Sequence, residues 1–197
     1  MSVTLLGLLA YLIGSIPFAL VLARRWGTRD LRRVGSGNLG AANVFRAFGV
    51  RAGLVVALLD ISKGAVSVLV AQRLSGGAGA APAVAGLAAV IGHVYPVWLT
   101  FRGGKGVATA CGAFAVLTPV AVPPALAIFL VGSWLTKPVS VGSIAATAAL
   151  PPIAYATNSP ASAVVAACAA AALILFRHRS NLARLRAGAE PRLQDHR

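Results

Sequence analysis

Three short stretches of the chain concentrate the groups that hold anions. The first is Gly35-Ser36-Gly37-Asn38-Leu39-Gly40-Ala41-Ala42-Asn43-Val44-Phe45-Arg46, which has the spacing GxGxxG, with Asp60 about 20 residues beyond it. A dinucleotide site would need a β-strand before the glycines, and Asp60 falls inside an apolar helical run, so that reading is rejected. The physical feature survives. Glycines let backbone approach an anion, exposed N–H groups and a Ser hydroxyl can hold phosphate, and Arg46 offers a planar fork to its oxygens. A glycine-rich connector is the plainer alternative. The second stretch is Gly103-Gly104-Lys105-Gly106, opening a helix at Val107. It does not fit GxxxxGK[ST], yet it joins bare amides, a helix N-terminus and an ammonium. A lysine that only sets topology would look the same. The third is Arg177-His178-Arg179-Ser180-Asn181, where His178 and Asn181 share one helix face three residues apart. A stop-transfer basic cluster explains its arginines but not His178 or Asn181.

Asp60, Lys63 and His93 fall within apolar runs. Ionisable groups there are costly and must face a bundle interior. Asp60 and Lys63, at i and i+3, can pair with each other, and His93 serves equally as helix glue or as a ligand. Carboxylates are otherwise scarce: Asp30, Asp60, Glu190 and Asp195 are the only four. Paired-carboxylate hydrolysis and two-metal chemistry therefore lack their groups. There is no GxSxG elbow and no Ser-His-Asp order. Cys111 and Cys168 have no metal-type spacing and read as packing residues. Neither a metal nor a cofactor is expected.

A membrane-embedded frame must position these residues. The 197 residues are 58% hydrophobic and 11% charged, against about 25% charged for a soluble domain. Mean hydropathy is +0.81, so lipid rather than water covers most of the surface. At about 20 residues per crossing, the apolar runs predict about seven transmembrane helices. These are Val3 to Ala23 with Pro17 inside, Gly53 to Gln72, Pro82 to Leu99, three from Val107 to Ala156, and Ala161 to Phe176. The fifty-odd residues 107–156 divide at Pro119, Pro123 and Pro124 and again at Lys137-Pro138. The first run is long for the core of a signal peptide, lacks a basic segment before it, and reads as a retained helix.

Net charge is +14, and Lys and Arg crowd into residues 24–51 and 177–197. Alone, such charge would suggest nucleic acid; in so hydrophobic a chain it marks cytoplasmic loops and suits anionic substrates. The expectation is an all-α integral protein of the cell inner membrane, with the N-terminus outside and the C-terminus cytoplasmic. Residues 1–197 form a single polytopic unit, with active-site loops near 24–51, 101–106 and 177–190. No internal repeat suggests an inverted-repeat transporter.

The stretches GSGNLGAANVFR, DISKG, GHVYPVWLTFRGGKGVAT and RHRSNLARLRAGAE resemble, in order, the motifs of the bacterial acyl-phosphate:glycerol-3-phosphate acyltransferase family (PlsY). The apolar spans between them fit its seven-helix plan. Ala42 stands where the family often has Thr, and Leu182 where it often has Ile. The resemblance implies transfer of a fatty acyl group from an acyl phosphate to the 1-hydroxyl of glycerol 3-phosphate, giving lysophosphatidic acid and inorganic phosphate. It implies that Ser36, Lys105 and the glycines Gly35, Gly37, Gly40, Gly103, Gly104 and Gly106 hold phosphate. Arg46, His178 and Asn181 would fix glycerol 3-phosphate, with Asn38 and Asn43 also binding substrate, and Asp60, Lys63 and His93 supporting the site. The implied partners are the two substrates, the bilayer and, through function, the soluble enzyme that makes acyl phosphate; nucleic acid is not among them.

Two routes for the proton stay open at this level, His178 or a substrate phosphate, whose second pKa is about 6. Ser36 as an acylated nucleophile is a third mechanism. An organic-phosphate transporter and a scaffold for lipid-synthesis partners are the readings from other classes. The charge asymmetry yields a test of topology. Single cysteines placed at Ser75 and Ser159 should react with an impermeant thiol reagent on intact cells, and labelling there only after lysis would reverse the orientation.

Overall fold

The computed structural model describes residues 1–27, 31–33, 37–76 and 79–192. All regular structure among them is helical: α1 (Val3–Gly14), α2 (Phe18–Arg25), α3 (Ala41–Ser75), α4 (Ala81–Val94), α5 (Val107–Leu117), α6 (Val122–Thr136), α7 (Val139–Ala156), α8 (Ala161–Arg177) and α9 (Arg179–Arg186), with short 3₁₀ turns at Leu31–Arg33 and Val97–Leu99. The all-α membrane architecture expected from hydropathy is present. Seven apolar segments appear, α1 and α2 counting as one. Four are long and apolar enough to cross a membrane: Val3–Arg25, Ala41–Ser75, Ala81–Leu99 and Val139–Ala156. α8 and the polar α9 pass the same test only when the bent pair is taken together, while α5 and α6, with 11 and 15 residues, fall short of the usual crossing length of about 20.

Two segments differ from the sequence expectation. Pro17, which has no N–H and clashes with the preceding turn, breaks the first helix between Gly14 and Phe18. The Lys63 ammonium donates to the Ile16 carbonyl at the break, at 2.9 Å. Backbone polar groups in lipid need internal partners, and a buried side chain supplies this one. The second difference is the loop expected to run to residue 51. The helix already begins at Ala41 and kinks at Gly49, whose φ of 84° is open to glycine. The short arm 41–48 folds back so tightly that a Cβ at Gly53 would press on Phe45.

Helices α3 and α5 touch backbone to backbone, because a Cβ at Gly112 would overlap the Ile61 carbonyl. Small residues at such crossings let membrane helices gain dispersion contacts that lipid would otherwise supply. Behind the crossing, Phe114 is fully buried against Val90, Ala110, Ala167, Ala170 and Ile174. This packing fixes α5, and with it the loop before it, relative to α8. Gly112→Val should therefore lower stability by about 2–3 kcal/mol. Thermal unfolding in detergent should show a Tm several degrees below wild type.

Candidate active site

The chain leaves α4 at Tyr95-Pro96, makes the 3₁₀ turn Val97–Leu99, and doubles back through Thr100 and Phe101, both at positive φ. Its return is pinned by two backbone bonds, Gly103 N to Val94 O at 3.0 Å and Gly104 N to His93 O at 3.1 Å. A Cβ at Gly104 would overlap the His93 imidazole, and one at Gly103 would strike the His93 carbonyl and Pro96. These two glycines are thus explained by packing on α4, not by approach to an anion, and they do not line the main cavity. Gly106, at φ 92°, caps α5. Lys105, between them, faces the cavity with the first turn of α5, Val107 and Ala108. That turn presents unbonded N–H groups and the positive end of the helix dipole.

From the opposite side comes the bend of 51° between α8 and α9, with His178 at the corner. Its backbone N–H and its Nδ1 both reach the Ile174 carbonyl, at 3.0 and 2.8 Å. A carbonyl only accepts, so the neutral imidazole carries its proton on Nδ1 and Nε2 is left as an acceptor. Burial, reinforced by the Lys105 charge, brings the His178 pKa down to about 4. Asn181 lies one turn further on the same face, as the spacing predicts. Its Oδ1 accepts from Lys105 Nζ, and its Nδ2 donates to Glu190 Oε1 at 2.5 Å.

Glu190 carries no role in the sequence reading. Its carboxylate also accepts from Ser140 of α7 at 2.7 Å and from Arg184 of α9 at 2.8 Å. Burial pushes its carboxyl up, but the hydrogen bonds from Ser140, Asn181 and Arg184 outweigh it and hold it below the usual range. Glu190 thereby ties α7, α9 and the tail together and fixes which way the Asn181 amide points. The available signals were its place at the end of the stretch RHRSNLARLRAGAE and its rarity, a carboxylate within a strongly basic tail.

The arm 41–48 closes the third side. Arg46 donates to the Pro191 carbonyl at 3.3 Å, and Asn43 donates to the Leu31 carbonyl at 3.3 Å, tying down the 31–33 turn. Asn38, Gly40, Asn43 and Arg46 all line the cavity, and Asn38 Oδ1 has no hydrogen-bond partner among the described residues. Gly35 and Ser36 lie outside the described residues. Gly37, at φ 68°, has its backbone against the Arg32 carbonyl. Deeper in, Asp60 pairs with Lys63 at 2.8 Å and lies 3.5 Å from His93 Nδ1. Asp60 and His93 line the cavity floor beneath the loop, whereas Lys63 turns away to Ile16.

The cavity holds about 290 Å³. One end gathers Arg46, Lys105, His178 and Asn181; the rest runs between α5, α6, α7 and α8 and is mostly apolar, with Ser143 and Thr147 of α7 as its polar side chains. Burial, aided by the charges of Arg184, Arg46 and Arg177 and opposed by Glu190, lowers the Lys105 pKa to about 8. Among the described residues no cluster of His, Cys, Asp and Glu could hold a metal ion. The site can take an amphiphile with a phosphate at its cationic end and can offer Nε2 of His178 to a hydroxyl.

Comparison with known proteins follows the same lines. The profile of the glycerol-3-phosphate acyltransferase family matches residues 4–188. The glycerol-3-phosphate acyltransferase of Syntrophotalea carbinolica is 45% identical over 187 residues, 95% of each chain. That of Roseobacter denitrificans is 47% identical over 193 residues, 98% of this chain and 94% of the relative. The crystal structure of PlsY, an integral membrane glycerol 3-phosphate acyltransferase, in its glycerol 3-phosphate form superposes with a TM-score of 0.92 at 40% identity, covering 98% of this chain and 96% of that one. Its lysophosphatidic acid form gives 0.88 at 39%, covering 98% and 95%.

The lowered Lys105 pKa sets a pH window. The ammonium is present below about 8 and lost above it, so affinity for inorganic phosphate should fall as pH rises through 8. Lys105→Arg, whose guanidinium stays charged, should bind phosphate more weakly at pH 7 but show no such fall. Calorimetric titration of both proteins across pH 6.5–9.5 (about three units around that value) checks this.

Proposed function

We propose that this chain, which belongs to the glycerol-3-phosphate acyltransferase family, moves a fatty acyl group from an acyl phosphate to the 1-hydroxyl of glycerol 3-phosphate. The products are lysophosphatidic acid and inorganic phosphate, and the setting is the cell inner membrane, with the cationic end of the cavity toward the cytoplasm. The observation that carries this reading is a cavity that is cationic at one end and mostly apolar along the rest. Such a cavity fits one substrate made of a phosphate and a chain, beside a second small phosphate ester. A transporter would need a polar path onward, and the far end is walled by Phe114, Val122 and Leu150.

Lys105, the N-terminus of α5 and the Gly35–Ser36–Gly37 segment hold the donor phosphate. Arg46, His178 and Asn181 place glycerol 3-phosphate, with Asn38 beside them. The hydroxyl oxygen attacks the acyl carbonyl carbon, a new C–O ester bond forms, and the anhydride C–O bond breaks with its electron pair leaving on phosphate. Lys105 and the α5 amides stabilise the charge that develops. The hydroxyl proton needs an acceptor matched to neutral pH. His178, with a pKa of about 4, is a weaker base than a phosphate oxygen, with a second pKa of about 6. The transfer is therefore direct and substrate-assisted, with Nε2 of His178 aligning the hydroxyl.

Purified protein given acyl phosphate and glycerol 3-phosphate should release phosphate and form lysophosphatidic acid in equal amounts; with neither product, the reading fails. In that assay His178→Asn should mainly raise the KM for glycerol 3-phosphate and keep measurable kcat, the signature of lost positioning. Complete loss of kcat at saturation would make His178 the essential base. A stable acyl adduct trapped on Ser36 from acyl phosphate alone would replace direct transfer by a covalent mechanism.

A further inference from the structure

We infer that the apolar end of the cavity is a ruler for chain length, with its stop at Phe114, Val122, Leu150 and Ala167. The inference rests on the reading of the cavity as an acyl-phosphate site. It starts from where the wall ends on each helix. On α5 the lining positions are Val107, Ala108, Ala110, Cys111 and Phe114, and the wall does not continue to Leu117. On α8 they are Ile174, Ala171, Ala170 and Ala167, and the stripe does not continue to Ala163 or Ala166. On α7 the stripe stops at Leu150, before Ala154, and antiparallel α6 enters with Val122 and Ala125 at the same level. Four helices therefore close the slot at one depth.

The width of the slot follows from residue size. Ala167, Ala170 and Ala171 carry only a methyl toward it, and Ala110 of α5 and Ala146 of α7 are equally small, so these helices leave room for one extended chain against Leu126 and Phe129 of α6. The stop is firm because Phe114 is fully buried and packed on Ala167 and Ala170, in a rotamer it cannot leave without opening the core. At about 1.5 Å rise per residue, the axis from Gly106 to Phe114 covers roughly 12 Å and that from His178 to Ala167 roughly 16 Å. With carbon–carbon bonds of about 1.5 Å in a zigzag, that depth admits roughly ten to twelve methylenes below the carbonyl. Each further methylene must leave the slot or bend within it, and each one not buried costs about fourfold in kcat/KM.

The two sides of the stop give opposed variants. Ala167→Leu raises the floor, and Leu150→Ala lowers it. Both are tested with an equimolar mixture of acyl phosphates from decanoyl to octadecanoyl, with lysophosphatidic acid species counted by mass spectrometry. Product ratios in one pot report ratios of kcat/KM, so loss of active protein cancels. Ala167→Leu should shift the distribution toward shorter chains, lowering the hexadecanoyl-to-decanoyl ratio at least tenfold. Leu150→Ala should raise the octadecanoyl-to-dodecanoyl ratio severalfold. Should either variant fail to fold, the other decides. Distributions that match wild type, or that move in the same direction in both variants, overturn the ruler. Absence of any product from the wild-type protein would instead overturn the acyl-phosphate reading beneath it.

Discussion

Two backbone hydrogen bonds, from Gly103 and Gly104 to the last turn of α4, fix the position of the cationic end of the cavity. They can form only because neither residue has a side chain and because the His93 ring fills the space beneath Gly104. His93 in turn stands beside Asp60, Asp60 pairs with Lys63, and Lys63 reaches the carbonyl left at the break before α2. A line of buried polar contacts thus runs from a broken helix to the loop that carries Lys105. Buried ionic groups of this kind contribute little net stability, and breaking one partner is costly. Their evident effect here is to specify one arrangement of α1, α2, α3, α4 and the loop.

The opposite wall solves a different problem. Burial, together with the charges of Arg184, Arg46 and Arg177, lowers the Lys105 pKa to about 8 against the opposing charge of Glu190. Cations so placed repel one another. Glu190 offsets part of this charge, and its bonds to Asn181 and Arg184 place the Asn181 amide between the carboxylate and Lys105. The carboxylate thereby orders Asn181 and Arg184 beside the cationic end of the cavity, which it also lines.

Much of this was legible in the residues. Glycines with a lysine before an apolar run, and His178 with Asn181 three apart, mark the site because their spacing is local and helical geometry converts spacing into direction. The pairing of Asp60 with Lys63 follows from the same rule. The hydropathic runs locate each apolar helix segment, though not the start of α3 at Ala41 or the break of the first helix at Pro17. What was not legible depends on contacts between distant segments. Gly49 looks like any helix glycine, yet it reverses the chain, because the packing of Phe45 on Gly53 is long-range information. Gly103 and Gly104 suggested open amides, whereas their reason is the ring of His93. Glu190 closes the last motif, but nothing in that stretch shows its role, because its partners come from residues 140, 181 and 184. The length of α5 and α6 also escaped hydropathy, which reports composition and not where a helix ends.

The corner at His178 has a chemical meaning. One carbonyl, that of Ile174, holds both the backbone and the ring of this residue. The backbone bond is the ordinary one that closes the last turn of α8, and the ring shares its acceptor. A main-chain carbonyl thereby acts as a template for the side chain four residues on: it selects one tautomer and leaves Nε2 with its lone pair.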